Sequence, residues 1–419
     1  MKKLLLVLVL SSAALLAAAQ EEPKTGWVYT PMPNISYNSD LGLNLGAFCD
    51  FFYYGDGSTY PNFLHHVGFT GAYATKGSWF LHAYFESVSL FPGIRFNASA
   101  TYRDSRANNF YGFNGIAAPF DEALELNTAS RTAWYTNHRR FLRVAATVQG
   151  GNKAQVNWLG GMVLRFVGIS DFTLNNYDSG KSLYLNYLAS DLIHADEANG
   201  GVSLEWKAGI SYDTRDIELA PRRGIYAEAY LLGNADLSRW KYNYAQLVLH
   251  WRQYLTLFPE RLVFAYHLGL QHTFVGDIPF YNLNEIATPF YPYEECAGLG
   301  SRYTIRGYRY NRIAAAGYAW GNFELRYTPF RFKLFGQHFD IVLNPFLDLA
   351  CITKTYRLEL QKALGKGFYQ DRQLPLMASA GAGAKLHMNT NFILSVDVGK
   401  AFDPQLSDWM IGMGTTYVF

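Results

Sequence analysis

The sequence predicts an all-β protein, a 16-stranded antiparallel transmembrane β-barrel. Three observations point there. The chain is a succession of segments in which apolar and polar residues alternate with period two. Beyond its first twenty residues it has no uninterrupted run of about eighteen apolar residues, so membrane-spanning helices are not supported. Aromatic residues make up 17% of the chain, with 31 Tyr and 30 Phe, and the net charge is only +2. A wall facing lipid uses such residues as interface girdles, whereas a soluble protein would need a large core to hide them. The near-neutral charge argues against nucleic acid or any strongly charged partner.

In chain order, Met1-Lys2-Lys3, an apolar run from Leu4 to Leu16 and Ala17-Ala18-Ala19 read as a signal peptide over residues 1–19. Cleavage after Ala19 leaves residues 20–419 as one barrel domain, with about ten residues before the first strand and no room for a second domain. The expected strands are Trp27–Tyr37, Leu41–Tyr54, Phe63–Thr75, Ser78–Val88, Ile94–Arg103, His138–Gln149, Ala154–Ile169, Gly201–Asp213, Gly224–Leu232, Tyr242–Leu257, Arg261–Val275, Tyr318–Thr328, Phe339–Ala350, Leu374–Met388, Phe392–Phe402 and Trp409–Phe419.

Two strands show the pattern. Val202, Leu204, Trp206, Ala208 and Ile210 share one face, while Ser203, Glu205, Lys207, Ser211 and Asp213 share the other. Likewise Ile94, Phe96, Ala98, Ala100 and Tyr102 oppose Arg95, Asn97, Ser99, Thr101 and Arg103. In a membrane barrel the apolar face meets lipid and the polar face lines the lumen. Short connections at Leu90–Gly93, Gly150–Lys153, Phe258–Glu260 and Asn389–Asn391 alternate with long ones at Asp104–Asn137, Ser170–Gly200, Gly276–Gly317 and Ile352–Gln373, with exceptions early in the chain. Brief inner turns and extended outer loops are the barrel arrangement, and an even strand count puts both ends in the periplasm. The last segment, Gly414 to Phe419, ends on an aromatic, with Trp409, Ile411, Met413, Tyr417 and Phe419 on one face. An apolar edge strand there would aggregate unless a barrel closed on it, which weighs against a soluble sandwich or propeller. Gly414, Tyr417 and Phe419 are read as a C-terminal targeting strand.

Five local motifs are spread along the chain: Ile305-Arg306-Gly307-Tyr308; Gly298-Leu299-Gly300-Ser301 before it; Asp213-Thr214-Arg215-Asp216 followed by Ala220-Pro221-Arg222-Arg223-Gly224; Phe323 to Tyr327 with Pro345 to Asp348; and Pro31-Met32-Pro33 to Tyr37 with Gly42. In this order the chain resembles the membrane barrel of the BamA-type superfamily (bacterial surface antigen type), which includes BamA, TamA and the two-partner secretion transporters. The resemblance implies that Arg306-Gly307-Tyr308 is the tip of a sixth outer loop folded into the lumen, and that Arg306 bonds to Glu324 and Asp348. It also implies that Asp213, Arg215, Asp216, Pro221 and Gly224 belong to a periplasmic turn. Insertion or transport members carry periplasmic POTRA domains before the barrel. The chain is expected to lack them, which puts substrate capture in doubt unless a separate periplasmic partner supplies it.

The residues themselves have the chemistry such a lock needs, although three ordinary lumen-lining charges are the other reading of Arg306, Glu324 and Asp348. A guanidinium has the fork geometry that grips carboxylates, which Lys lacks. Glu324 shares a face with Asn322 and Arg326, and Asp348 with Asn344. Gly307 permits a sharp turn with no Cβ, and Tyr308 can bond the inner wall. In the turn, Asp213 and Asp216 can accept local backbone bonds, Pro221 fixes φ and Gly224 re-enters the next strand.

No enzyme is expected: there is no Gly-x-Ser-x-Gly and no His-Glu-x-x-His. His65 and His66 point to opposite faces, and His250, His267, His272, His338 and His387 are scattered singly. No metal or cofactor is expected. Cys49, Cys296 and Cys351 are too few for a disulfide framework; a Cys296–Cys351 bridge and three unpaired thiols both stand as options. Pro31 and Pro33 either fray a first-to-last-strand seam or precede the strand in a turn. Function is expected to be outer-membrane protein biogenesis, insertion or export in the bacterial outer membrane. The alternative is a passive pore or accessory subunit of a larger envelope complex. Contacts are expected with outer-membrane lipid and with envelope-complex subunits or a periplasmic partner, and not with nucleic acid.

Overall fold

The computed structural model describes residues 23–419 except 39–41, 61, 76, 127–128, 152–154, 173, 175–176, 179, 288–297, 301–303, 335–336, 373–375, 390–391, 404 and 406–408. Residues 1–19, read as a signal peptide, together with Cys296 and Ser301, therefore lie outside the described residues. Sixteen strands follow one another: β1 Trp27–Asn38, β2 Gly42–Tyr53, β3 His65–Ala74, β4 Trp79–Phe91, β5 Ile94–Asn109, β6 Thr136–Gly150, β7 Val156–Asp171, β8 Gly200–Asp213, β9 Gly224–Asp236, β10 Tyr244–Phe258, β11 Leu262–Gly276, β12 Gly317–Leu334, β13 Gln337–Lys354, β14 Met377–Met388, β15 Phe392–Ala401 and β16 Trp409–Gly414. Each pairs antiparallel with its neighbours in sequence, and β1 meets β16 to close a barrel.

The period-two pattern sets which face looks in. On β8, Ser203, Glu205, Lys207 and Ser211 are buried in the lumen while Trp206 and Ile210 stand exposed on the outer wall. Trp158, Met162, Phe69, Tyr73 and Trp251 are exposed on the same outer surface. Lipid is the solvent in which such a surface costs nothing.

The seam differs from the rest of the sheet. β1 pairs with β2 along its whole length, from Trp27 opposite Tyr53 to Asn38 opposite Gly42. Against β16 a single register pair is formed among the described residues, Asn38 opposite Gly412. Pro31 and Pro33 lie inside β1, opposite Cys49 and Ala47, so they do not form a preceding turn. Each removes one ladder donor from a strand at the seam.

The last strand is shorter than its alternation suggests. It stops at Gly414, and residues 415–419 leave the wall and turn into the lumen. Tyr417, Val418 and Phe419 are buried. Arg326 donates through Nη2 to the main-chain oxygen of Phe419 at 3.0 Å and stacks over the Tyr417 ring at 3.9 Å. Tyr417 and Phe419 are therefore not on the lipid face. The cause is a buried cation that offers two aromatic faces and a carbonyl more than lipid can.

Two short helices, α1 Leu183–Ala189 and α2 Leu358–Leu364, sit in the long outer loops. With the loops after β5 and β11 they build an aromatic dome over the outer mouth. Tyr187 meets Phe110 edge-on at 5.4 Å and Phe113 at 5.1 Å, and Phe113 meets Tyr356 at 4.8 Å. Asn114 ties the dome by donating to the Tyr356 carbonyl at 2.7 Å and accepting from the Tyr356 N–H at 2.7 Å.

Candidate functional site: an arginine lock inside the lumen

The loop between β11 and β12 dips into the barrel, and its tip rests on β12 to β15. Arg306 is buried at the point of contact. Its Nε and Nη2 form the expected fork on Asp348, at 2.9 Å to Oδ2 and 2.8 Å to Oδ1. Its backbone N–H also donates to Asp348 Oδ2 at 2.8 Å. Nη1 donates to Glu324 Oε1. The guanidinium lies 3.6 Å above the Phe346 ring, so every edge and one face are occupied.

Gly307 adopts φ +82°, and a Cβ there would come within 2.7 Å of the Lys400 backbone nitrogen. The Gly307 carbonyl accepts from Ala401 N–H at 3.2 Å, which docks the tip on β15. Tyr308 donates its hydroxyl proton to the Ala378 carbonyl at 2.9 Å. All five lock residues expected from the sequence thus converge on one place.

Four further residues complete the cluster. Asp397 on β15 lies 3.5 Å from Arg306 Nη1 and takes an ion pair from Lys385 on β14. Asn344 reaches both Glu324 and Asp397 at 3.3 Å, and Phe346 supplies the ring. Glu324 also accepts from Arg326 Nε at 2.8 Å, so the lock is wired to the cation that holds the chain end. Three carboxylates against Arg306, Arg326 and Lys385 give charge balance, the condition on which buried ions survive in a wall. Asp397 is the one charged residue among the inward positions of β15, a parity that marks its face but not its partners.

The loop is also tied to the dome. Arg309 pairs with Glu125, Nε to Oε1 at 2.6 Å, and Arg312 donates to the Gly115 carbonyl at 2.8 Å. Elsewhere in the outer loops Asp196 meets Lys241 and Tyr242. Burial opposes the charged form there, but these donors outweigh it and hold the Asp196 carboxyl below its usual value.

His250 and His267 are not isolated. They face each other across β10 and β11, with Nδ1 of His250 3.1 Å from Nε2 of His267. Among the described residues no group of three His, Cys, Asp or Glu could hold a metal. Cys49 and Cys351 are free thiols.

The turn between β8 and β9 folds as its residues suggest. Asp213 accepts from the Arg215 N–H at 3.0 Å and forms a two-bond fork with the Arg215 side chain at 2.9 and 2.7 Å. Asp216 Oδ1 accepts from the N–H groups of Ile217 and Arg222, both at 3.0 Å. Gly224 has φ +103°, and a Cβ would lie 2.3 Å from the Thr214 carbonyl oxygen.

A sixteen-stranded transmembrane barrel whose sixth outer loop is pinned in its own lumen is the class these features define. Known structures share that fold. A crystal structure of BamA from Haemophilus ducreyi lacking POTRA domains 1–3 superimposes with a TM-score of 0.60 at 15% identity, over 94% of this chain and 70% of that one. CdiB from Escherichia coli gives 0.55 at 11% identity, over 95% and 64%. CdiB from Acinetobacter baumannii gives 0.50 at 11%, over 94% and 60%. No family model and no curated protein matches the sequence.

Proposed function

We propose that this protein is a bacterial outer-membrane barrel that assists the insertion or export of other proteins. The observation that carries the reading is the seam. Among the described residues β1 and β16 meet at one register pair, so both edges hold backbone donors and acceptors that another strand can take up. Edge strands are templates for pairing. Opening this junction costs far less than parting any other neighbours in the sheet. The fold shared with BamA and CdiB supports the same reading.

The passive-pore alternative is the weaker one, because the aromatic dome covers the outer mouth. The described residues form the barrel and its loops, with no folded periplasmic body among them. Capture of a client is proposed to involve other envelope subunits or a separate periplasmic partner. The test is reconstitution into liposomes together with whatever co-purifies from the envelope. Addition of a denatured outer-membrane barrel should give folded, protease-protected client faster than empty liposomes do. Ion conductance without acceleration would favour the pore instead.

A further inference from the structure

The inner mouth of the barrel, opposite the dome, is crossed by the β8–β9 turn. Glu218 near its tip reaches Arg95 at the inner end of β5, Nη1 to Oε1 at 3.4 Å. Arg222 reaches Asp340 at the inner end of β13, Nη2 to Oδ2 at 3.3 Å. In the sixteen-strand ring β5 and β13 stand eight places apart in either direction. They are opposite walls, and one turn touches both. Four chain steps separate Glu218 from Arg222 and span at most about 15 Å; the four long side chains supply the rest of the reach.

The segment is stiff enough to act as a bar. Asp216 pinches its base by binding the N–H groups of Ile217 and Arg222. Arg215, held on Asp213, donates to the Glu218 carbonyl at 3.1 Å and stacks over Tyr226 at 4.2 Å. Thr256 on β10 donates to the Arg222 carbonyl at 2.9 Å. Its outer attachments are weaker than its internal ones. Side-chain exposure is 30% and 61% for Arg95 and Glu218, and 37% and 23% for Arg222 and Asp340. Half-exposed ion pairs contribute little and are screened by salt. Arg95 and Asp340 both keep second partners, Glu86 and Arg331, in the absence of the turn, so the wall loses no charge balance when the turn lets go.

We infer that the β8–β9 turn is a releasable strut that bars the lumen from the periplasm, closed while Glu218 and Arg222 are tied to opposite walls. Release of the two pairs lets it swing on its β8 and β9 roots and opens the inner mouth. This rests on the barrel geometry alone and not on the proposed insertion activity.

The experiment places a reporter thiol behind the strut. Thr147 faces the lumen near the inner end of β6, three residues from its last residue, Gly150. Thr147→Cys is introduced in a background with Cys49, Cys296 and Cys351 changed to Ser, and labelled with a polymer-bearing maleimide too bulky to pass the closed strut. Wild-type strut should label slowly at low salt and faster at 1 M salt, where the screening length falls to about 3 Å. The variant Glu218→Gln with Arg222→Gln should label about fivefold faster at low salt and lose the salt dependence. Heat-modifiability on gels reports whether each variant folds; should the pair fail, Asp340→Asn removes the Arg222 contact from the wall side while Glu218 stays on Arg95, and it too should label faster than the parent at low salt. Equal labelling in folded variant and parent, or salt-independent labelling of the parent, overturns the strut.

Discussion

Arg306 answers to two acids and a ring at once, with its backbone N–H as well as its guanidinium donating to Asp348, and it is the residue on which the loop depends. Its removal leaves Asp348 buried without its cation and Glu324 with Arg326 alone. Arg306→Ala should therefore cost on the order of 3–5 kcal/mol, less if water enters the cluster. The readouts are a lower unfolding temperature in a heat-modifiability series and protease cleavage of the loop between β11 and β12. A variant as heat-stable and protease-resistant as the parent would mean that the lock is inert. Arg306→Lys keeps the charge but cannot grip Asp348 through two nitrogens, so it should fall between parent and Ala. Gly307→Ala should cost about 1–3 kcal/mol from positive φ plus the clash with β15, measured in the same series. Arg306, Glu324 and Asp348 were legible because a motif and strand parity marked them. Asn344, Lys385 and Asp397 were not, because their meeting is set by the register of β12 to β15, which periodicity along one strand does not encode.

Strands were the most legible elements, since polar inward and apolar outward residues alternate along them, as on β8. All sixteen stand where the alternation puts them, with ends shifted by up to six residues, as at the ends of β5 and β12. β12 and β13 run further towards the inner mouth than expected, and the structure breaks the pattern with a register shift between Tyr327 and Phe330. The chain end was misread for a physical reason: Tyr417 and Phe419 have the parity of lipid-facing residues, yet Arg326, Tyr254 and His267 offer them a polar-aromatic seat inside. The helices α1 and α2 were missed because each is only seven residues long. If the seat matters, Arg326→Gln should free residues 415–419 to carboxypeptidase while the barrel stays heat-modifiable. Unchanged protection of the tail would show that ring stacking alone holds it. In the dome, Asn114→Ala removes two 2.7 Å bonds to Tyr356 and should expose the loop after β13 to protease without unfolding the wall.

At the scale of the molecule, the barrel is closed firmly everywhere except along one line. The dome caps one end, the strut crosses the other, and the lock fills the middle, so the path of least resistance lies sideways through the seam between β1 and β16. Neither the dome nor the seam was legible in the sequence beyond the two prolines, because both arise from contacts between segments far apart in the chain. The most direct measurement pins this line shut. Cysteines at Asn38 and Gly412, the register pair of the seam among the described residues, are introduced in a background lacking the three native thiols, and client folding is followed in liposomes under oxidising and reducing conditions. The account predicts that the oxidised protein loses its acceleration of client folding and that reductant restores it. Acceleration by the oxidised form equal to that of the reduced form would contradict it.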